Sequence, residues 1–285
     1  MGSTYPGSEK FGQDAPLVDL EEFPGWIIHE DDELLVINKP GWLVCHPSKN
    51  GPLSSLVGAC REYAGLERIH LVSRLDRETS GVVLLAKVPA LAKQLQGAME
   101  KTQPEKVYLA VLKGEMDGSK HVDALLGRDT QSLVHVKVAV RTDGIGKSAQ
   151  TDFKPVHVSD GYTLAEVRLI TGRKHQIRAH AQHIGHPVTG DKIYGPDELL
   201  YLDFIDDGWT PRHEELLEMK RQALHAWKLK IECAAGVFSF TAPVPADFQE
   251  LCEQVFPGAP SILANHSAQK PCPVVGSGQH PSSLF

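Results

Sequence analysis

The chain has 285 residues, 41% of them hydrophobic and 23% charged, so it can bury a sizeable core in one large domain or two. No run approaches the ~20 apolar residues of a membrane span, and Met1 to Ala15 lacks the apolar segment of a signal peptide. The net charge of −7 on its own speaks against nucleic acid, but residues 9–33 carry −8 and residues 197–220 carry −6, which leaves +7 on the rest. A basic remainder suits an anionic substrate, with the acidic runs either rimming a cleft or simply solvated.

Residues 1–16 have no apolar periodicity and are expected to be disordered, as is the Pro/Ser/Gly-rich tail 257–285; residues 17–256 are expected to form the working domain. Leu34 to Lys39 reads as a strand stopped by Pro40. Leu53, Leu56, Val57 and Cys60 recur at helical spacing, Val82 to Ala86 reads as a buried central strand, and Val88, Leu91, Leu95 and Met99 mark an amphipathic helix. Strands are expected at Lys106–Lys113, Leu133–Val140, Thr151–Val158 and Tyr162–Ile170, with Gly-containing turns between several of them. A strand-to-helix junction follows at Thr171–His180, with Thr171 as N-cap, Ile177, Ala181 and Ile184 on the buried face, and Gly185 and Pro187 ending the helix. Late strands are expected at Leu224–Glu232 and Val237–Ala242. Strands that follow strands, with helices as inserts, point to an α+β architecture with a mixed, largely antiparallel sheet.

Three segments carry chemistry. Arg74-Leu75-Asp76-Arg77-Glu78-Thr79-Ser80-Gly81 sets one carboxylate between two guanidiniums, directly ahead of the central strand. An aspartate beside cations stays ionised, which suits a nucleophile or a base better than a proton donor. Taken alone, Arg-x-Asp-Arg is more often a solvated turn, and the Thr-Ser-Gly ending is what favours a dedicated motif. Residues 168–194 collect Arg168, Arg173, Lys174, Arg178 and Lys192 with His175, His180, His183 and His186. Arginines near a helix start suit phosphate or carboxylate recognition. There is no His-Glu-x-x-His, so hydrogen-bonding histidines are preferred to a metal site. In Lys106-Val107-Tyr108-Leu109-Ala110 alternation puts Lys106 and Tyr108 on one face, where the tyrosine is either an ordinary sheet residue or a platform for a base. The five cysteines (Cys45, Cys60, Cys233, Cys252 and Cys272) are scattered without a Cys-x-x-Cys, which points to a reducing, cytoplasmic setting. With no Gly-x-Gly-x-x-Gly, Walker loop or Gly-x-Ser-x-Gly, dinucleotide, ATP and α/β-hydrolase chemistry lose support.

In this order the segments resemble the RluA-type pseudouridine synthases. The likeness rests on Lys39-Pro40, Arg74 to Gly81, Lys106 to Ala110, Thr171 to Arg178, Gly185-His186-Pro187, Gly190-Asp191-Lys192-Ile193-Tyr194-Gly195 and Leu224-His225-Ala226, spanning roughly residues 25–247. It implies a pseudouridine synthase-like sheet with a cleft across it, and isomerisation of uridines in tRNA or rRNA. The glycosidic bond breaks, the uracil turns, and carbon 5 joins the ribose, with no cofactor or metal. Asp76 would be the catalytic aspartate, paired with Arg178, and Tyr108 would stack on the target base. Arg74 would fill the space left by the flipped nucleotide. Arg173, Lys174 and His175 would hold the RNA backbone, with Lys106 and Arg77 adding contacts. The pattern departs at Ser73, where relatives often have histidine. No S4-like RNA-binding domain is expected, no dedicated protein partner is evident, and a monomer is expected. The rival reading is a catalytically silent RNA-binding protein of the same fold, against which the retained Asp76, Tyr108 and Arg178 speak.

Overall fold

Every residue of the strand Ser80–Ala86 is buried, as an unbroken apolar run requires when both sheet faces are covered. The computed structural model describes residues 16–46 and 50–257. Along the chain lie β1 (Ile27–Glu30), β2 (Leu34–Lys39), α1 (Leu56–Ala64), β3 (His70–Leu71), β4 (Ser80–Ala86), α2 (Pro89–Lys101), β5 (Glu105–Lys113) and β6 (Lys120–Arg128). Then come β7 (Val138–Arg141), β8 (Lys147–Ser159), β9 (Tyr162–Leu169), α3 (Gln176–His183), α4 (Leu199–Asp207), α5 (Pro211–Leu216), β10 (Leu224–Cys233), β11 (Gly236–Thr241) and α6 (Ala246–Val255).

These strands form one sheet in the order β1-β2-β4-β10-β5-β9-β8-β6-β7, with β11 beside β10 and β3 beside β4. The β4–β10 pair is parallel and the others are antiparallel. This is the mixed, largely antiparallel α+β sheet expected from the strand-rich order. Period-2 alternation splits β4 between two layers. Val83 and Leu85 pack with Leu56, Ala59 and Cys60 of α1, while Val82 and Leu84 pack with Leu91 and Leu95 of α2. A third cluster joins Leu109 and Val111 of β5 to Ile177 of α3 and Phe248 of α6.

Local chemistry fixes the helix ends. The Ser55 hydroxyl accepts from the Gly58 N–H at the start of α1, and Gly65 closes it in the left-handed conformation at φ 63°. Pro89 opens α2, where no N–H is needed.

Two features differ from the sequence reading and two lie where it named no element. The strand expected at 133–140 is real only at β7, because Leu133 is 66% exposed and the chain turns between Val134 and Lys137, both buried. The apolar alternation there belongs to a turn closed by the Lys137 N–H on the Val134 carbonyl. The strand β6 was not anticipated, since Val122 and Leu126 are its only fully buried side chains. The acidic stretch 197–220 folds as α4 and α5, with Arg212 pairing to both Asp197 and Asp203. Thr171 is not the cap of α3; that helix starts after His175, which stands at φ 53°. The Thr171 hydroxyl instead donates to Gln176 Oε1 at 2.8 Å and accepts from the Gln150 N–H at 2.9 Å. The segments expected to be loose at 1–16 and 257–285 lie outside the described residues, apart from Pro16 and Pro257.

Candidate active site

The loop ahead of β4 is held almost residue by residue from below. Lys39, fully buried, gives its three ammonium N–H groups to the carbonyls of Pro40, Leu43 and Arg77, each at 2.8 Å. Burial pushes its pKa down to about 7. Arg221 donates to the Glu78 carbonyl at 3.3 Å, and Lys192 to the Glu78 carboxylate at 2.7 Å. Gln222 donates to the Thr79 hydroxyl at 2.6 Å, and Ser80 Oγ lies 3.0 Å from His225 Nδ1. On the other side of Asp76, Cys45 Sγ takes the Leu75 N–H at 3.4 Å and faces the Leu75 carbonyl at 3.5 Å. Gly81 has φ +115°, and a Cβ there would come within 2.2 Å of the Ala226 carbonyl oxygen. Only glycine lets β4 approach β10 so closely.

Asp76 therefore stands on a rigid loop and looks towards α3. Arg178 Nη1 donates to Asp76 Oδ2 at 3.0 Å. The same guanidinium gives Nε and Nη2 to the two oxygens of Asp191, at 2.6 and 2.8 Å. Asp191 is wholly buried and also accepts the N–H groups of Ile193 and Tyr194. Arg178 lies 5.0 Å from the Tyr194 ring centroid, and the Tyr194 hydroxyl meets His175 Nδ1 at 3.1 Å. His175 Nε2 sits 3.9 Å from Asp76 Oδ2.

The charges follow from this geometry. Burial alone would raise the Asp76 pKa, but His175 in its protonated form and the charge and hydrogen bond of Arg178 outweigh it and hold the carboxyl below the usual 3.8. Burial first, then Arg178, pushes His175 down to about 4, so at neutral pH the ring is uncharged and Arg178 is the cation Asp76 faces. Burial, followed by the Asp76 charge, drives the Tyr108 phenol well above its ordinary 10, which keeps the hydroxyl protonated.

A cleft of about 830 Å³ opens over this arrangement, with Asp76, Tyr108 and Arg178 in its wall. Its cations are Arg74, Lys106, Arg173, Lys174 and Lys228 besides Arg178, and its acids are Asp76 and Glu100. No described residue of either acidic run lines it, so the field inside is the positive one.

A family model for RNA pseudouridylate synthase matches residues 33–183. The chain is 34% identical over 241 residues to "Ribosomal large subunit pseudouridine synthase D" of Vibrio vulnificus, covering 82% of this chain and 72% of the relative. The chain belongs to the RluA-type family of RNA pseudouridine synthases. It is 33% identical over 250 residues to the protein of the same name in Haemophilus influenzae, covering 84% of this chain and 73% of the relative. Among solved structures, human RNA pseudouridylate synthase domain containing 4 superposes with a TM-score of 0.65 at 24% identity, covering 82% of this chain and 94% of the other. Human RNA pseudouridylate synthase domain containing 1 gives 0.64 at 20% identity, covering 87% and 96%. The chain is thus an isomerase of uridines in RNA.

For this pseudouridine synthase, the fold gathers most of the residues singled out from the sequence. Asp76, Tyr108, Arg178, Arg74, Lys106, Arg173, Lys174 and His175 all line the one cleft. Arg77 does not; its carbonyl is engaged by Lys39 on the inner side of the loop. His175 lines the cleft and is also held by Tyr194 and set near Asp76. His180 packs inside α3 with Nδ1 2.9 Å from the Thr151 hydroxyl. Among the described residues no group of three or more His, Cys, Asp or Glu side chains could hold a metal ion, and no helix is long and apolar enough to cross a membrane. The sequence reading missed Asp191 as the main partner of Arg178, and it missed the scaffold of Lys39, Arg221 and Gln222. The Gly-Asp-x-x-Tyr-Gly and Lys-Pro motifs carry two of these residues, and a buried charge within a motif was the available signal.

Proposed function

We propose that Asp76 is the catalytic carboxylate of this pseudouridine synthase and that its substrate is large-subunit ribosomal RNA. The observation that supports the first part is the single hydrogen bond from Arg178 to Asp76, made by a guanidinium already fixed two-pronged on Asp191. That geometry leaves Asp76 ionised and oriented, with one oxygen not used by Arg178. An ionised carboxylate serves either as nucleophile at the ribose C1′ or as base at C2′. In both routes the N1–C1′ bond breaks, the C5–C1′ bond forms, and the C5 proton leaves so that the product is an isomer with an N1–H.

Tyr108 offers a flat face for the uracil and a protonated hydroxyl beside Asp76. Arg74 is exposed on the cleft rim, where it can fill the stack position of a flipped nucleotide. Arg173, Lys174, Lys106 and Lys228 supply backbone contacts. Arg77 is assigned local structure. The ribosomal substrate is supported by the relatives' name, large subunit pseudouridine synthase D. The protein is proposed to work as a monomer in the cytoplasm without a protein partner, on a catalytic domain of residues 17–256.

The test is a map of pseudouridines in total RNA from cells with and without the protein. Loss of one or more sites in large-subunit rRNA is expected. Loss confined to tRNA would move the substrate, and an unchanged map would remove the assignment.

A further inference from the structure

One corner of the cleft has the wrong chemistry for phosphate. Glu100 and Gln103 line it at the C-terminal end of α2. Both are exposed, and neither side chain hydrogen-bonds or ion-pairs with another described residue. A carboxylate repels an RNA backbone, and a helix C-terminus adds partial negative charge to that repulsion. Gln103 also stands at φ 48°, directly ahead of Pro104. A non-glycine residue there is strained, and the proline narrows the options of the residue before it.

A carboxylate that repels phosphate attracts base N–H donors. In unpaired RNA the Watson–Crick edge is open to side chains. Of the four bases, guanine alone offers two adjacent donors there, the imino N1–H and the amino N2–H, which match the two oxygens of a carboxylate. Its neighbouring O6 is an acceptor that suits an amide N–H. We propose that Glu100 and Gln103 read a guanine next to the target uridine, Glu100 taking the N1–H and N2–H groups and Gln103 Nε2 donating to O6. This rests on the reading of the cleft as the site of uridine isomerisation. It turns one end of α2 into the specificity element of a cleft that otherwise grips backbone.

The test uses stem-loop RNAs built on the mapped target site, with each of the four bases in turn at the positions flanking the uridine, and compares kcat/KM for wild type, Glu100→Gln and Gln103→Ala. Wild type should favour guanine at one flanking position by about tenfold or more. Glu100→Gln should shrink that spread to within about threefold, because an amide presents a donor where guanine presents one. Gln103→Ala should shrink it partly. Both side chains are exposed, so the variants should fold normally, and equal circular dichroism spectra check this. Wild-type turnover that ignores the flanking base, or a guanine preference unchanged in Glu100→Gln, overturns this inference and leaves the activity in place. Absence of pseudouridine from every RNA overturns the activity reading and the inference together.

Discussion

Arg178 spends both prongs of its guanidinium on Asp191 and offers Asp76 one N–H, so the group that orients the proposed catalytic carboxylate is itself oriented by a second carboxylate. Asp191 is buried and touches neither the cleft nor Asp76's oxygens. It acts through Arg178, and it is itself fixed by the N–H groups of Ile193 and Tyr194.

Asp191→Asn should therefore behave as a positioning defect. The amide puts a donor against a donor of Arg178. A shift of about 1 Å in Arg178 is enough to cost about 10²-fold in rate. The single-turnover rate should fall by about that factor while the Kd for RNA changes little. Breaking a buried pair of this kind costs about 3–5 kcal/mol, so urea unfolding should show a matching loss. Arg178→Lys should lose a similar part of the rate, because a point charge cannot replace the fork. A variant with wild-type rate would separate Asp191 from the reaction.

Lys39→Met tests the scaffold under the loop. The substitution keeps the stem and strands the carbonyls of Pro40, Leu43 and Arg77 without their donor. Stability should fall by about 2–4 kcal/mol, and the rate should fall with it as the Asp76 loop loosens. Unfolding in urea, read with pseudouridine formation well below the midpoint, checks both.

The pH dependence of stability has a defined sign. Burial pushes His175 down to about 4 and His225 to about 3, from an ordinary 6.5. Between those values and 6.5 the unfolded chain binds protons that the folded chain refuses. Stability should thus fall as pH is lowered below about 6.5, by up to about 1.4 kcal/mol per pH unit for each histidine. Urea midpoints at pH 7.5, 6 and 5 measure the slope. His225→Gln should remove one histidine's share, and a midpoint that rises on acidification would contradict this account.

RNA binding should weaken steeply with salt although the chain carries a net charge of −7. The cleft holds Arg74, Lys106, Arg173, Lys174 and Lys228 outside the Arg178 pairing. If these meet phosphates, log K against log salt should have a slope of about −3 to −4. A flat response would mean that the cleft is not the RNA track.

How much of this was legible in the sequence differs with the kind of feature. The core of β4 at Val82–Ala86 was visible as an unbroken apolar run, and the helices α1 and α2 and the pair β8–β9 because burial on one face imposes a period on the residue types. The strand β6 was not, since only two of its side chains go fully inside and the rest stay mixed. The meeting of Asp76 with Arg178, 102 residues apart, came from motif likeness and not from periodicity. The greater claim of Asp191 on Arg178 had no signal beyond the Gly-Asp-x-x-Tyr-Gly motif that carries the residue, for a physical reason. It depends on where a loop carries one carboxylate, and no repeat of polarity encodes that. The cap expected at Thr171 failed because its hydroxyl closes a turn with Gln176 and Gln150 five residues before the helix begins.

The most direct measurement is single-turnover pseudouridine formation by Asp76→Asn on the mapped RNA substrate, with binding of the same RNA measured in parallel. The substitution keeps size and leaves the backbone scaffold of the loop intact, but removes the charge that Arg178 faces. No detectable pseudouridine with RNA affinity within about threefold of wild type is the predicted result; a charge lost from Asp76 also removes some repulsion of phosphate. Turnover within about tenfold of wild type would contradict the role of Asp76 as the catalytic carboxylate.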